Sequence, residues 1–276
     1  YKNVGAINNK GLEISLNADV IRTSKFQWTS DFNIGFNRNR VTELYGGKPE
    51  LKGLKRLEEG RDMDEWYLRE WAGVDPANGS PLWYTTDENG KRTTTDSYNK
   101  ADRVYCGSAA PKFTGGWMNS FSYKGFTLTA NFDFVYGNLL YNQSRELLDS
   151  DGAYADYNSM KLKSGWKRWE KEGDIATHPK AINGGNKNSN KSSSRYLEKG
   201  NYFSLRNLSL GYSIPEKLCG KLGLQRVNVS CSADNLFTLT PFSGVSPQLS
   251  DSSTDGYAGT IYPLSRRIVF GLNVSF

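Results

Sequence analysis

Hydrophobic and polar positions alternate through the last residues of the chain. Ile268, Phe270, Leu272, Val274 and Phe276 share one parity, and Val269, Gly271, Asn273 and Ser275 share the other. A period of two puts the two sets on opposite faces of a strand. Six earlier stretches follow the same rule. In 11–22, Leu12, Ile14, Leu16, Ala18 and Val20 oppose Glu13, Ser15, Asn17 and Asp19. In 26–37, Phe26, Trp28, Phe32, Ile34 and Phe36 oppose Gln27, Thr29, Asp31 and Asn33. The remaining stretches are 112–123, 126–137, 202–214 and 225–238, and the last strand is expected over 263–276. These runs are near or above the ~9–11 residues a tilted strand needs to cross a bilayer. Ordinary strands average only ~5–6.

The connections alternate too. Thr23-Ser24-Lys25, Lys124-Gly125 and the moderate segment 215–224 join strands in pairs. Long loops, about 38–111, 138–201 and 239–262, separate the pairs. Tight turns on one side and long loops on the other are the habit of outer-membrane barrels, and loops this long are uncommon in compact soluble domains. The expectation is an all-β fold: about seven antiparallel strands of a transmembrane β-barrel with long extracellular loops, 1–276 being part of a single barrel domain. Phe276 then ends at the periplasmic side. Bacterial barrels have an even number of strands, at least about eight, so further strands are expected before Tyr1. A soluble β-sandwich gives the same alternation. Large rings near strand ends (Trp28, Tyr123, Tyr136, Tyr212) favour a membrane girdle instead.

Composition changes this picture little. The chain is 37% hydrophobic and 13% aromatic, with mean hydropathy −0.63. No run approaches the roughly 18 apolar residues of a spanning helix. The net charge of +6 is scattered, and its densest stretch, 161–171, is interrupted by Trp166, Trp169 and Glu170. It reads as a solvated loop face rather than a nucleic-acid surface. Cys106, Cys219 and Cys231 have no metal or disulfide spacing. Cys231 falls on an apolar parity and serves as a small hydrophobe. His178 lies in a polar loop with no partner visible in the sequence, so no catalytic constellation is expected. Asp149-Ser-Asp-Gly152 lacks the further ligands of a calcium loop and reads as a turn, as does 251–256. No cofactor and no metal site are expected.

Several strings in order resemble one family. NVGAINNKGLEISL at 3–16, WTSDFNIGFNRNRV at 28–41, Glu59-Gly60 followed by GVDPANGSP at 73–81, LRNLSLGYSIP at 205–215, NLFTLT at 235–240 and Tyr262-Pro263 are similar to the C-terminal barrel segment of the SusC/RagA family of TonB-dependent outer-membrane transporters of Bacteroidetes. The family's Asp-Pro-Glu after the NLFT string is Ser246-Pro247-Gln248 here, which removes a carboxylate from an outer loop. The resemblance implies a plugged barrel of roughly 22 strands. It implies import of an oligosaccharide or peptide with a SusD-like surface lipoprotein, energised by the TonB complex through an N-terminal region outside this chain. The localisation it implies is the bacterial outer membrane, surrounded by lipid. A passive porin and a secreted carbohydrate-binding β-sandwich are the other readings.

Candidate ligand- or partner-binding residues are loop aromatics, whose rings can stack on a sugar or grip a peptide side chain: Trp66, Tyr67, Trp71, Trp83, Tyr84, Trp166, Trp169, Tyr257 and Tyr262. Packing between loops is the competing use of each ring. Trp166 and Trp169 are also expected on a short amphipathic helix within 161–172. The terminal strand carries Gly271, Val274 and Phe276 of the signal by which the barrel-assembly machinery recognises its clients; Val269 occupies the signal's polar slot. Replacing Phe276 with a charged residue, or deleting it, is expected to lower the yield of inserted barrel. Heat-modifiable gel migration measures this, and unchanged yield would count against the signal.

Overall fold

A computed structural model describes residues 5–154, 156–249, 256–259 and 262–276. The expected turn at 251–256 and the start of the 3–16 string therefore fall largely or partly outside the described residues. Seven long strands form one antiparallel sheet in strict chain order: Gly5–Arg22, Phe26–Leu44, Phe113–Tyr123, Phe126–Tyr136, Tyr202–Ser213, Arg226–Leu239 and Arg267–Ser275. The first two run further than the alternation suggested, pairing out to Gly5↔Leu44. Residues 37–40 (Asn-Arg-Asn-Arg) are polar on both faces. That end of the ribbon is thus suited to water on both sides, and an alternation reading misses it.

Register shows why the pattern is so regular. One row crosses the sheet as Leu16↔Phe32, Phe32↔Trp117 and Trp117↔Phe132. Another runs Phe121↔Leu128, Leu128↔Leu210, Leu210↔Cys231 and Cys231↔Phe270. All of these side chains share the outward face, and Leu16, Leu210 and Phe270 are exposed on the described chain. The opposite face is polar: Asn17 donates to Asp31, Ser120 and Thr129 share a hydrogen bond of 3.2 Å, and Asp234 accepts from Asn207 at 2.7 Å and Arg267 at 2.7 Å. Ser30 and Asn119 interrupt the apolar face. The Trp117 indole donates to Ser30 at 2.9 Å and the Trp28 indole to Asn119 at 3.0 Å, so these groups find partners without water.

The turn between the third and fourth strands shows local sequence at work. Lys124 has φ 47° and Gly125 φ 85°, and two positive φ values match a hairpin to the twist of its strands. A Cβ on Gly125 would lie 2.8 Å from the Ser213 carbonyl oxygen, while Ser213 N–H donates to the Gly125 carbonyl at 2.8 Å. Only glycine permits that approach.

The best-buried apolar cluster is not in the wall but among the loops. Trp66, Leu68, Ala109, Tyr141 and Tyr196 form it, with Leu139 and Tyr257 packed alongside. It draws on all three long connections. Short strands build this layer: Glu65–Arg69 pairs with Arg103–Ser108, and Leu139–Asn142 pairs with both Leu197–Lys199 and Tyr257–Ala258.

Two expectations are corrected. Residues 161–172 contain no helix; Gly165 and Gly173 hold φ 83° and 85°, and the segment is tied sideways by a bridge between Arg168 and His178. His178 is not without a partner: it is buried, with Nε2 2.9 Å from Asp149. That partner lies far along the chain, where sequence spacing carries no signal.

An arginine in place of Leu208, on the outward row between Ala130 and Ala233, should destabilise the barrel by about 2–4 kcal/mol if it sits near mid-membrane. The adjacent Ser209, between Thr129 and Ser232 on the polar face, should tolerate arginine. Urea unfolding of the full-length protein in lipid measures both, and equal costs would refute the facing.

Candidate ligand- and partner-facing loop layer

The nine loop aromatics are treated very differently by the fold. Trp66 is fully buried, donates its indole N–H to the Leu139 carbonyl at 3.0 Å, and packs on Tyr141 and Tyr257 with ring centres 5.8 and 5.1 Å away. Trp83 is also fully buried, held edge-on between Trp71 at 5.6 Å and Tyr98 at 5.5 Å. Trp169 is buried and donates to the Pro76 carbonyl at 2.9 Å, joining the second loop to the first. Tyr257 accepts from Leu54 N–H at 3.1 Å, joining the third to the first.

Cations lie over four others. Arg56 covers Tyr67 at 4.8 Å, Arg195 covers Trp71 at 5.0 Å, Arg92 covers Tyr84 at 3.8 Å and Arg145 covers Trp166 at 4.4 Å. Such contacts stabilise by about 0.5–2 kcal/mol, and they occupy a ring face that a ligand would need. Tyr105, next to Tyr67, bonds the Glu58 carboxylate; burial first, then that carboxylate, pushes its hydroxyl up to about 12.

Tyr262 alone of the nine is strongly exposed, at 85%. It stands on the rim of a cavity of about 550 Å³ between the second and third loops, lined also by Asn142, Arg145, Leu148, Met160 and Val245. Most of this lining is apolar. Its polar floor is organised by Glu198, which accepts from Ser243 Oγ at 2.6 Å, Asn142 Nδ2 at 3.2 Å and Arg145 Nη1 at 3.0 Å. The arrangement suits an amphipathic group, with a flat ring at the mouth and hydrogen-bonding groups behind.

Behind the cavity lies a buried charge cluster that the sequence did not reveal. The helix Ser144–Leu148 places Arg145 one turn before Asp149, and their side chains meet at 2.8 Å. Asp151, at φ 52°, turns the chain so that its carboxylate meets Arg195 at 2.5 Å and Arg168 at 2.7 Å. Burial pushes the Asp149 carboxyl up, but the His178 hydrogen bond and the Arg195 and Arg145 charges outweigh it and hold it below the usual carboxylate range. Burial opposes the Arg195 charge, yet Tyr196 and the two aspartates hold its pKa above the ordinary arginine value. The four-residue spacing of Arg145 and Asp149 was a legible helix-pair signal; Arg195, on another segment, was not.

Thr177, His178 and Asp149 line up as hydroxyl, imidazole and carboxylate, with contacts of 2.8 and 2.9 Å. The hydroxyl is already tied to both the amide and the carbonyl of Lys167, and the imidazole and carboxylate are buried. The line is a cross-brace, not a nucleophile facing substrate. No group of three or more acidic, histidine or cysteine side chains suited to a metal occurs among the described residues. Burial pushes the Cys106 thiol up to about 11, an unreactive state.

Asp149→Ala should remove the carboxylate partner of His178 and one of the two carboxylates held by each of Arg145 and Arg195, costing the loop layer about 1–3 kcal/mol. Because the folded carboxyl is lowered, its contribution is complete above the unfolded value of about 3.9 and is lost as pH falls through the folded value. Protection factors for hydrogen exchange at 145–151 and 193–196 in the full-length protein should therefore hold from neutral pH to about 4 and fall below it. Protection that is unchanged by the substitution would refute the role of the cluster.

No family model matches the chain. It is 28% identical over 326 residues to TonB-dependent receptor P39 of Formosa agariphila, covering 99% of this chain and 31% of the receptor. It is 22% identical over 300 residues to TonB-dependent receptor SusC of Bacteroides thetaiotaomicron, covering 100% of the chain and 27% of the receptor. Among solved structures it is similar to the RagAB peptide transporter, with TM-score 0.85 and 27% identity over 100% of this chain and 30% of that one. The chain thus spans about three tenths of the length of these relatives. With the seven-stranded sheet and its apolar outward face, this likeness over the whole of the chain makes it similar to a barrel segment of the TonB-dependent receptors of the SusC and RagA kind.

Proposed function

We propose that this chain supplies barrel wall and outer loops to a TonB-dependent importer of an oligosaccharide or peptide, working with a SusD-like surface lipoprotein. The observation that carries the reading is the match of the whole of this chain to three tenths of the RagAB peptide transporter chain at TM-score 0.85. The two outer edges of the sheet, Gly5–Arg22 and Arg267–Ser275, have no strand beyond them among the described residues. In the longer protein, further wall strands would pair with them, since an open edge in hydrocarbon leaves its N–H and C=O groups unbonded. The plug and the TonB-contacting segment belong to the N-terminal region.

In this reading the short connections face the periplasm and Phe276 ends there, while the loop layer faces outward. Loops 38–111, 138–201 and 239–262 belong to one barrel domain. Tyr262 and its cavity are the strongest ligand-facing group. Tyr67, Trp71, Tyr84 and Trp166, each covered by an arginine, are secondary candidates for contact with a ligand or the lipoprotein. Trp66, Trp83, Trp169 and Tyr257 hold the loops together. Gly271, Val274 and Phe276 guide assembly.

The test is uptake by cells carrying the full-length protein. Accumulation of labelled oligosaccharides or peptides should stop when TonB is removed or the proton-motive force is collapsed; persistence would indicate a passive porin. Tyr262→Ala should weaken substrate capture by about 0.5–1.5 kcal/mol, the worth of one aromatic contact. Equilibrium binding to the lipoprotein-capped transporter measures it, and unchanged affinity removes Tyr262 from the site.

A further inference from the structure

The connection between the fifth and sixth wall strands carries an apolar surface that nothing among the described residues covers. Its helix, Glu216–Lys221, buries Cys219, whose thiol lies 3.7 Å from the Ile214 carbonyl. Beside it Leu218 is 51% exposed and Leu222, at the C-terminal end of the helix, is 76% exposed. These two leucines are four apart and share a face. Lys217 and Lys221 repeat the same spacing and are exposed beside them, with Glu216 as the acidic neighbour.

The position of this face identifies what meets it. Val227 belongs to the outward row, opposite Val274. It is buried, while Val229, the next outward residue, is exposed. The helix packs against this end of the Arg226–Leu239 strand, so it lies on the lipid side of the wall and not across the lumen. Its depth is set by a belt of rings one row further in. Phe26 meets Tyr123 at 6.5 Å and Phe126 meets Tyr212 at 4.3 Å, the arrangement that marks a membrane–water boundary. The helix begins just past Ile214-Pro215, two residues beyond Tyr212. Gln225 N–H donates to the Ser275 carbonyl at 2.9 Å, bringing the exposed ring of Phe276 to the same rim.

We infer that residues 216–222 form an interfacial foot that seats Leu218 and Leu222 in the periplasmic leaflet and sets Lys217 and Lys221 against the phosphates of anionic phospholipids. The inference rests on the orientation proposed above. The apolar face continues the outward band of the wall, and the lysines sit where a headgroup would lie. A short amphipathic segment of this kind binds through apolar burial plus attraction to anionic lipid. The foot fixes the depth of the closing strands and keeps acidic phospholipid beside the strand that ends at Phe276.

Photo-crosslinking tests it in the full-length protein within its own outer membrane. Benzoylphenylalanine placed at Leu222 should capture phospholipid, as the same group at Leu272 in the outward band should. At Asn89, in the first outer loop, it should capture no phospholipid. Capture of lipid at Leu272 but of protein only, or nothing, at Leu222 overturns the foot and leaves the membrane reading intact. Capture of lipopolysaccharide at Leu222 overturns the orientation together with the foot. In a second measurement, the Lys217→Glu/Lys221→Glu pair should reduce phosphatidylglycerol retained by the purified protein about tenfold, the order expected for reversing charge at an anionic lipid surface. Unchanged retention with normal barrel yield also overturns the lysine contacts.

Discussion

Backbone N–H and C=O groups that enter hydrocarbon must be bonded within the protein, and a sheet can do this only by pairing strand to strand. The wall obeys that rule in the plainest way, with each strand next to its neighbours in sequence. Once the pairing is fixed, the pleat leaves two faces with opposite duties. One face carries the rows of Leu, Phe and Trp, and the other carries Asn, Asp, Ser and Thr. Two outward polar side chains within the apolar band, Ser30 and Asn119, are tolerated because tryptophan indoles from neighbouring strands bond them. The same solvent explains why the wall contributes so few residues to the buried core: its apolar atoms are solvated by lipid rather than by one another.

The loops are built on the opposite principle. They meet water, so they fold as a globular layer around Trp66, Tyr141 and Tyr196 and brace it with buried ion pairs. A buried pair is no guarantee of stability against an apolar replacement, but each of these charges is held by more than one partner. Asp151 meets Arg168, Arg195 and the Ser189 hydroxyl. That redundancy fixes one arrangement of a long connection which would otherwise pay heavily in chain entropy. A rigid loop layer is also what a capture surface requires, since ordering it on binding would subtract from affinity.

The wall was legible because its information is local. Strict alternation over ten or so residues requires no knowledge of partners, and Lys124-Gly125 announces its own turn. Legibility ended where local pattern ended. Residues 37–40 are polar on both faces and still extend the second strand. Trp166 and Trp169 have the spacing of a helix face, yet Gly165 and Gly173 and the Arg168–His178 bridge direct them apart. His178 and Arg195 depend on contacts many residues away, which no window of sequence exposes. Among the loop rings, residue type alone could not separate buried Trp66 from exposed Tyr262.

That division bears on how such a protein can change its ligand while keeping its barrel. Substitutions in the wall are constrained by parity, because exchanging the faces of one strand places charge in lipid. Substitutions at the cavity rim are constrained only by the shape of the loops beneath them. Tyr262, Val245 and Leu148 border solvent, whereas Glu198 and Arg145 below them are tied into the charge cluster. Under the proposed function, specificity can therefore drift at the rim with little loss of loop stability, while changes one layer deeper alter both together. The reach of the charge cluster, more than the distance from the membrane, divides the adaptable part of this surface from the fixed part.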